Sequence, residues 1–156
     1  MGTLDDAIIC AAKNGQSKRV RQLIALGADI DSADDGTGGT ALMHAAENGH
    51  HQCLRLLIKA GANVNARDKE NGTALIWAAA LGQHICAVML LTAGADLDAQ
   101  DNTGLAALDH ARHCLGEWPY EYTHEGGAAH FILECVRVLE RPASPPDKRM
   151  FMVPSP

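Results

Sequence analysis

Aromatic side chains are scarce in this chain, at 4% of 156 residues, although 47% of its residues are hydrophobic. Small aliphatics, chiefly Ala and Leu, must therefore fill the core, which suits closely packed helices better than a β-sandwich. Positive charge is short as well. Lys and Arg number 13 against 19 Asp and Glu, a net charge of −6. Such a chain has no general attraction for phosphate backbones, and no nucleic-acid partner is expected. The five cysteines, Cys10, Cys53, Cys86, Cys114 and Cys135, form no C-x-x-C pair. An odd, scattered set argues against a disulfide framework and reads as small buried hydrophobes in a reducing compartment. No stretch reaches the roughly 18 apolar residues of a membrane span. The N-terminal MGTLDDAII carries two acids where a secretion signal has positive charge. Asp6 stands where a myristoylation motif built on Gly2 has Ser or Thr. The expectation is a soluble cytoplasmic chain, with the nucleus as the alternative and no membrane engagement.

Catalytic signatures are missing too. There is no G-x-S-x-G, no P-loop and no H-E-x-x-H. The paired acids Asp5 and Asp6 read as first-turn helix charges, and Glu117 and Glu121 as loop charges. No enzyme activity, cofactor or metal is expected.

What is present is a repeat. GTALMHAAENGH at 39–50 returns as GTALIWAAALGQ at 72–83, and GANVNA at 61–66 as GADLDA at 94–99, both 33 residues on. GADIDS at 27–32 is a third copy, 34 residues earlier, the extra residue falling in the loop DDGTGG. GLAALDHA at 104–111 continues the series. Thr40 and Thr73 are N-cap types and open a short helix. The Ala pairs 45–46 and 78–79 allow a neighbouring helix close approach, and Gly49 and Gly82 end the helix. A second helix follows, HQCLRLLIKA or HICAVMLLTA, ended by Gly61 or Gly94. Then comes a loop rich in Asn, Asp and Gly that reads as a hairpin-like finger. One such unit cannot bury its own apolar face, whereas stacked units can.

These residues resemble the ankyrin repeat, whose pattern runs T-P-L-H-x-A-A…G-H…L-L…G-A-D-V-N-A. The resemblance implies an all-α solenoid of helix-turn-helix units with hairpin-like loops, over residues 1–141. The units are 4–34, a first capping repeat without an opening finger, then 35–67 and 68–100 as close matches, then 101–141 as a partial one. The fourth unit breaks after Cys114-Leu115 and resumes at CVRVLE, which leaves an aromatic insertion at about 116–130. Residues 142–156 read as a disordered, proline-rich tail. Ala41 and Ala74 replace the family's Pro, and Met43 and Ile76 its His. Without that His its hydrogen bond to the neighbouring loop is lost, so softer loops between repeats are expected.

The resemblance also implies a role. Such stacks recognise a protein or peptide through a concave face lined by the first helices and through the finger tips, and a monomer is expected. Carried over by position, the contact residues are Lys13 and Asn14; Gly36, Thr37, Glu47 and Asn48; Lys69, Glu70, Ala80 and Leu81; Asn102, Thr103, His113 and Cys114. Leu81 and Ala80 are expected to make an apolar spot beside Lys69 and Glu70. Asn65 occupies a position that an asparaginyl hydroxylase modifies in some ankyrin repeats.

Three features stay open between a structural and a functional reading. Trp77, in register with Cys10, His44 and His110, either fills the seam between helices or stands out as an aromatic anchor. His110, His113 and Cys114 share a helix face at i, i+3 and i+4 and either occupy ordinary repeat slots or ligate zinc with Cys135 or His130. Trp118, Tyr120 and Tyr122 either cap the end of the stack or meet a partner. The alternatives to a recognition module are a metal-binding or enzyme-associated protein with its site at the insertion, using His113, Cys114, His124 or His130, and a self-associating structural protein.

Overall fold

The computed structural model describes residues 3–116, of which Cys114, Leu115 and Gly116 are described by their backbone alone. The aromatic insertion, the tail and the resumed motif at 135–140 lie outside the described residues. Seven helices appear among the described residues: α1 Leu4–Lys13, α2 Ser17–Ala25, α3 Ala41–Glu47, α4 His51–Lys59, α5 Ala74–Ala80, α6 His84–Thr92 and α7 Ala107–Gly116. No strand forms among the described residues; the fingers carry only the isolated bridges Ala33–Thr40 and Gln100–Ala106.

The helices pair as hairpins, α1 with α2, α3 with α4, and α5 with α6. The hairpins stack into two layers, α1–α3–α5–α7 and α2–α4–α6. The first-helix layer is dense because its contact positions are small. Ala45, Ala46, Ala78 and Ala79 are fully buried, and Ala11, Ala12, Ala107 and Ala111 continue the row. Leucines and branched chains of both layers, among them Leu42, Leu54, Leu57, Leu75 and Leu90, close the space between them. Leucines so placed each bury on the order of 2 kcal/mol of side chain.

Caps start the first helices as expected. Thr40 accepts the Met43 N–H and Thr73 the Ile76 N–H, each at 3.4 Å. Thr3 and Asp6 form a reciprocal capping box on α1. Unit four has Ala106 in the threonine slot, and there the Asp109 carboxylate accepts the Ala106 N–H at 3.0 Å, keeping half of that box. Gly49 and Gly82 take φ of +69° and +66° and let the chain reverse into α4 and α6.

Two kinds of bond tie successive units in register. At the turn end, His50 Nε2 bonds the Lys13 carbonyl at 3.1 Å, and Gln83 Nε2 donates to the Glu47 carbonyl at 3.1 Å. At the finger end, the Lys69 N–H donates to the Thr37 carbonyl at 3.0 Å, and the Asn102 N–H to that of Glu70 at 2.8 Å. Adjacent first helices therefore run parallel with both ends aligned.

The cysteines divide. Cys53 and Cys86 are buried as expected, and burial pushes the Cys53 thiol up and the Cys86 thiol up to about 11. Cys10 departs from that expectation: it is exposed, because unit one has no finger to cover its slot.

Candidate partner surface

Each finger is organised by one aspartate. Asp34 accepts from the Thr37 N–H at 2.7 Å, the Thr37 hydroxyl at 2.8 Å and the Gly39 N–H at 3.2 Å. Asp68 accepts from the N–H groups of Glu70 and Gly72 at 2.8 and 2.7 Å. Asp101 accepts from the Thr103 N–H at 2.8 Å, the Thr103 hydroxyl and the Leu105 N–H at 3.2 Å. One carboxylate oxygen faces the first helix: in Asp68 and Asp101 it is the oxygen that the finger donors do not use, and in Asp34 it is Oδ2, which also takes the Thr37 hydroxyl and the Gly39 N–H. A carboxylate only accepts, so the group facing it donates: His44 Nε2 to Asp34 at 2.8 Å, Trp77 Nε1 to Asp68 at 2.7 Å and His110 Nε2 to Asp101 at 2.6 Å.

The loop tie expected to be lost with the family's His is therefore present. Met43 and Ile76 are indeed buried and apolar, but the loop tie is made by the next residue along the helix. Trp77 is accordingly neither a plain core filler nor a free-standing anchor. It is half-buried, its ring edge-to-face with His44 at 5.3 Å between centroids, and its polar edge holds the finger. The sequence pattern puts 44, 77 and 110 in one row at the seam between helices but does not show what their ring nitrogens bond. The signal available was an Asp nine or ten residues before a ring nitrogen in three successive units.

Electrostatics follow the same geometry. Burial opposes ionisation of Asp34, but hydrogen bonds from His44 and from the Thr37 side chain and backbone, with the attraction of His44, hold its carboxyl well below the usual range. Burial likewise opposes ionisation of Asp101 and is outweighed by Thr103, His110 and the Leu105 N–H, which hold that carboxyl low too.

The expected contact residues fall into two groups at opposite ends of the first helices. Gly36, Thr37, Lys69, Glu70, Asn102 and Thr103 are exposed on the fingers. Some of them also serve the fold. The Lys69 ammonium donates to the Asp35 and Gly36 carbonyls of the preceding finger, and Asn102 Oδ1 accepts from Asn71 Nδ2 at 2.6 Å. Lys13, Asn14, Asn48, Leu81 and His113 are exposed at the other end, with Glu47 and Ala80 half-buried. Asn14 and Asn48 turn their amides back onto the Cys10 and His44 carbonyls at 2.8 and 2.9 Å. Leu81 is the C-cap residue of α5, whereas Lys69 and Glu70 precede that helix's N-cap. Ala80 and Leu81 therefore do not lie beside Lys69 and Glu70, because all of α5 stands between them. Leu81 instead lines a cleft of about 230 Å3 with Gly49, Gly82, Gln83, His84, Ile85 and Cys86. Trp118 and Tyr120 lie outside the described residues.

Asn65 is exposed, but both ends of its amide are used. Oδ1 accepts the Asp96 N–H at 2.8 Å and Nδ2 donates to the Gly94 carbonyl at 3.2 Å. Asp31 does the equivalent for the Asn63 N–H at 2.9 Å. Of the histidine–cysteine set, His110 is committed to Asp101, His113 is exposed, and Cys135 and His130 lie outside the described residues. Among the described residues no group of three His, Cys, Asp or Glu side chains converges on a metal-sized site, and no helix is long and apolar enough to cross a membrane.

The family model described as ankyrin repeats (3 copies) matches residues 8–101. No curated protein matches the chain.

Proposed function

Since the chain belongs to the ankyrin-repeat family, whose repeats generally serve as protein–protein interaction modules, we propose that it is a non-catalytic recognition module for a protein or peptide. The contacts are made by the exposed ends of the first helices and by the finger tips. One observation carries this reading. Positions in structural register, Lys13, Glu47, Ala80 and His113, change chemistry from unit to unit, and beside them Leu81 departs from the Asn that units one and two share at 14 and 48. The buried Ala and Leu slots and the Asp-to-ring-nitrogen ties repeat. Constancy inside and variation outside is what a stack needs to hold one shape while reading one partner. The ties that align the units keep the surface preorganised, which limits the ordering cost of binding. The module works as a monomer in a reducing compartment, the cytoplasm, where buried thiols such as Cys53 and Cys86 stay reduced.

The test compares the wild-type chain with Lys13→Glu/Glu47→Ala, which alters the helix-end surface without touching a buried apolar slot. A partner captured by the wild type is titrated against both proteins. A loss of tenfold or more with an unchanged thermal midpoint supports the reading. Equal affinity for both sinks the helix-end surface as the contact.

A further inference from the structure

Charge is sorted between the two helix layers. The second helices α2, α4 and α6 carry Lys18, Arg19, Arg21, Arg55 and Lys59 and not one Asp or Glu. All five cations are exposed. Among the described residues none of the five makes an ion pair or a side-chain hydrogen bond. Acids stand instead on the first helices, as Asp5, Asp6, Glu47 and Asp109, and on the fingers and loops. In a chain of net charge −6 the second-helix layer is the positive side.

Folding does not call for this sorting. Lys18 and Arg19 lie in the first turn of α2, where the helix dipole favours anions. Helices α1 and α7 follow that preference, with Asp5 and Asp6 in the first turn of one and Asp109 in that of the other. The buried residues Val20 and Leu23 of α2 occupy the same helix positions as Leu54 and Leu57 of α4, so the two packed helices are in register. Arg21 and Arg55, each the fifth residue of its helix, therefore stand side by side across that contact. Lys18 lies one turn before Arg21, and Lys59 one turn after Arg55, each on the face of its neighbour. Like charges placed in this way repel one another and weaken the helices that carry them.

Lys18, Arg21, Arg55 and Lys59 form a band across α2 and α4. Its charges are about 5–6 Å apart along each helix at the level of Cβ and about 8–10 Å apart from helix to helix. Carboxylates at alternate positions of an extended chain recur about every 6.6–6.8 Å, between those two spacings. Neither α2 nor α4 has a Trp, Tyr or Phe, so the band offers no stacking platform for nucleobases. Asp29 and Asp31 stand exposed in the loop after α2 and oppose a broad anionic surface such as a membrane, whereas a short segment meets the cations and leaves those acids alone. The band stops at α6, which carries no Lys or Arg. We propose that the outer face of α2 and α4 is a second docking surface, which takes a short acidic peptide segment of a partner protein, extended across both helices with its carboxylates on Lys18, Arg21, Arg55 and Lys59. This face belongs to the layer behind the first helices, and the inference stands whether or not the helix ends and fingers hold a partner of their own.

The test titrates the full-length chain against a fluorescein-labelled peptide of about ten residues, alternating Glu and Ser, and reads anisotropy at about 150 mM salt. Arg21→Glu/Arg55→Glu should weaken binding by roughly tenfold or more, while Arg21→Lys/Arg55→Lys should stay within about threefold of the wild type. The thermal midpoint of Arg21→Glu/Arg55→Glu should not fall, because each new Glu lies one helical turn from a lysine. Lys18→Gln/Lys59→Gln leaves both arginines in place, should weaken binding by about threefold or more, and keeps the test decisive if the arginine variant does not fold. The matching peptide of Gln and Ser should not bind, and binding of the acidic peptide should weaken by about fivefold or more at about 500 mM salt. No binding of the acidic peptide overturns the proposal, as does equal binding by wild type and Arg21→Glu/Arg55→Glu. Tighter binding of an oligothymidylate or of phosphatidylserine vesicles, abolished by the same variant, also overturns it by assigning the face to another polyanion. A wild-type dimer that this variant dissolves, without peptide binding, overturns it by assigning the face to the acidic fingers of a second copy.

Discussion

Trp77 Nε1 donates to Asp68 Oδ2 at 2.7 Å, which places an indole in the slot where units two and four use imidazole. One constraint therefore explains three different-looking positions. Each first helix that follows a finger, α3, α5 and α7, offers a ring N–H to the finger carboxylate, and the ring fills the space between units while doing so. Indole serves as well as imidazole because its one donor lies at the ring edge.

Removing that donor should cost stability without changing the fold. Trp77→Phe keeps most of the ring volume and leaves Asp68 Oδ2 facing an apolar edge, so a loss of about 1–3 kcal/mol is expected. Pairing it with Asp68→Asn in a double-mutant cycle should give a coupling energy above about 1 kcal/mol. Urea midpoints of the four proteins supply the measurement. Additive losses would show that Trp77 acts by packing alone.

The finger carboxylates also set an acid limit. Asp34 and Asp101 are held below the ordinary carboxylate range in the folded chain. A group depressed on folding contributes stability that is complete above its unfolded pKa, about 4, and is lost as pH falls toward the folded value. Unfolding free energy should therefore be flat for these groups from neutrality to about pH 5 and drop below about pH 4, by roughly 1–2 kcal/mol each after allowance for solvent. Asp34→Asn should be less stable at pH 7, and the gap to wild type should narrow at pH 2–3. A gap that stays constant between pH 7 and pH 2 would remove Asp34 from the acid response.

Helix placement was legible in the sequence because its determinants are local. Thr40 and Thr73 sit directly before α3 and α5, and Gly49 and Gly82 directly after their C-cap residues, so caps and stops mark the boundaries. The repeat offset then supplied the stacking order. The finger ties were not legible. Their partners lie nine or ten residues apart on different elements, and reading the family's His slot at Met43 and Ile76 drew attention one position away from the residue that makes the bond. Leu81 was read as exposed, which it is. The expected neighbours Lys69 and Glu70 are not beside it, because a finger and the C-terminal end of the helix that follows it are separated by the length of α5. The exposed apolar side chains of α6 needed the structure, since only observed exposure distinguishes Ile85 and Val88 from core positions such as Cys86 and Ala87.

Gly39 should be intolerant of any side chain. A Cβ there would come within 2.9 Å of Thr37 Oγ1, 3.0 Å of His44 Nε2 and 3.0 Å of Trp77 Cη2, and the last belongs to the following unit. Gly39→Ala should cost about 1–3 kcal/mol as an overpacking change. The same slot in unit four holds Leu105, which is 37% exposed. Leu105→Ala should change stability by no more than about 0.5 kcal/mol. Thermal or urea unfolding of the two variants side by side tests the contrast, and a cost at Leu105 equal to that at Gly39 would contradict it.

Thiol chemistry reads the same architecture from another direction. Cys10 is exposed in the one unit without a finger, while Cys53 and Cys86 sit in the second-helix layer with about 1% exposure. The thiolate is the reacting species, and the Cys86 thiol, raised to about 11 by burial, is both inaccessible and protonated at neutral pH. Alkylation of the native chain with iodoacetamide, read peptide by peptide, should label Cys10 within minutes and leave Cys53 and Cys86 unmodified until urea unfolds the protein. The labelling rates of those two cysteines should rise together across the unfolding transition, because α4 and α6 are neighbours in one layer and share one core. Labelling of Cys86 well before Cys53 at low urea would instead show that unit three opens separately, which would break the picture of a single cooperative stack.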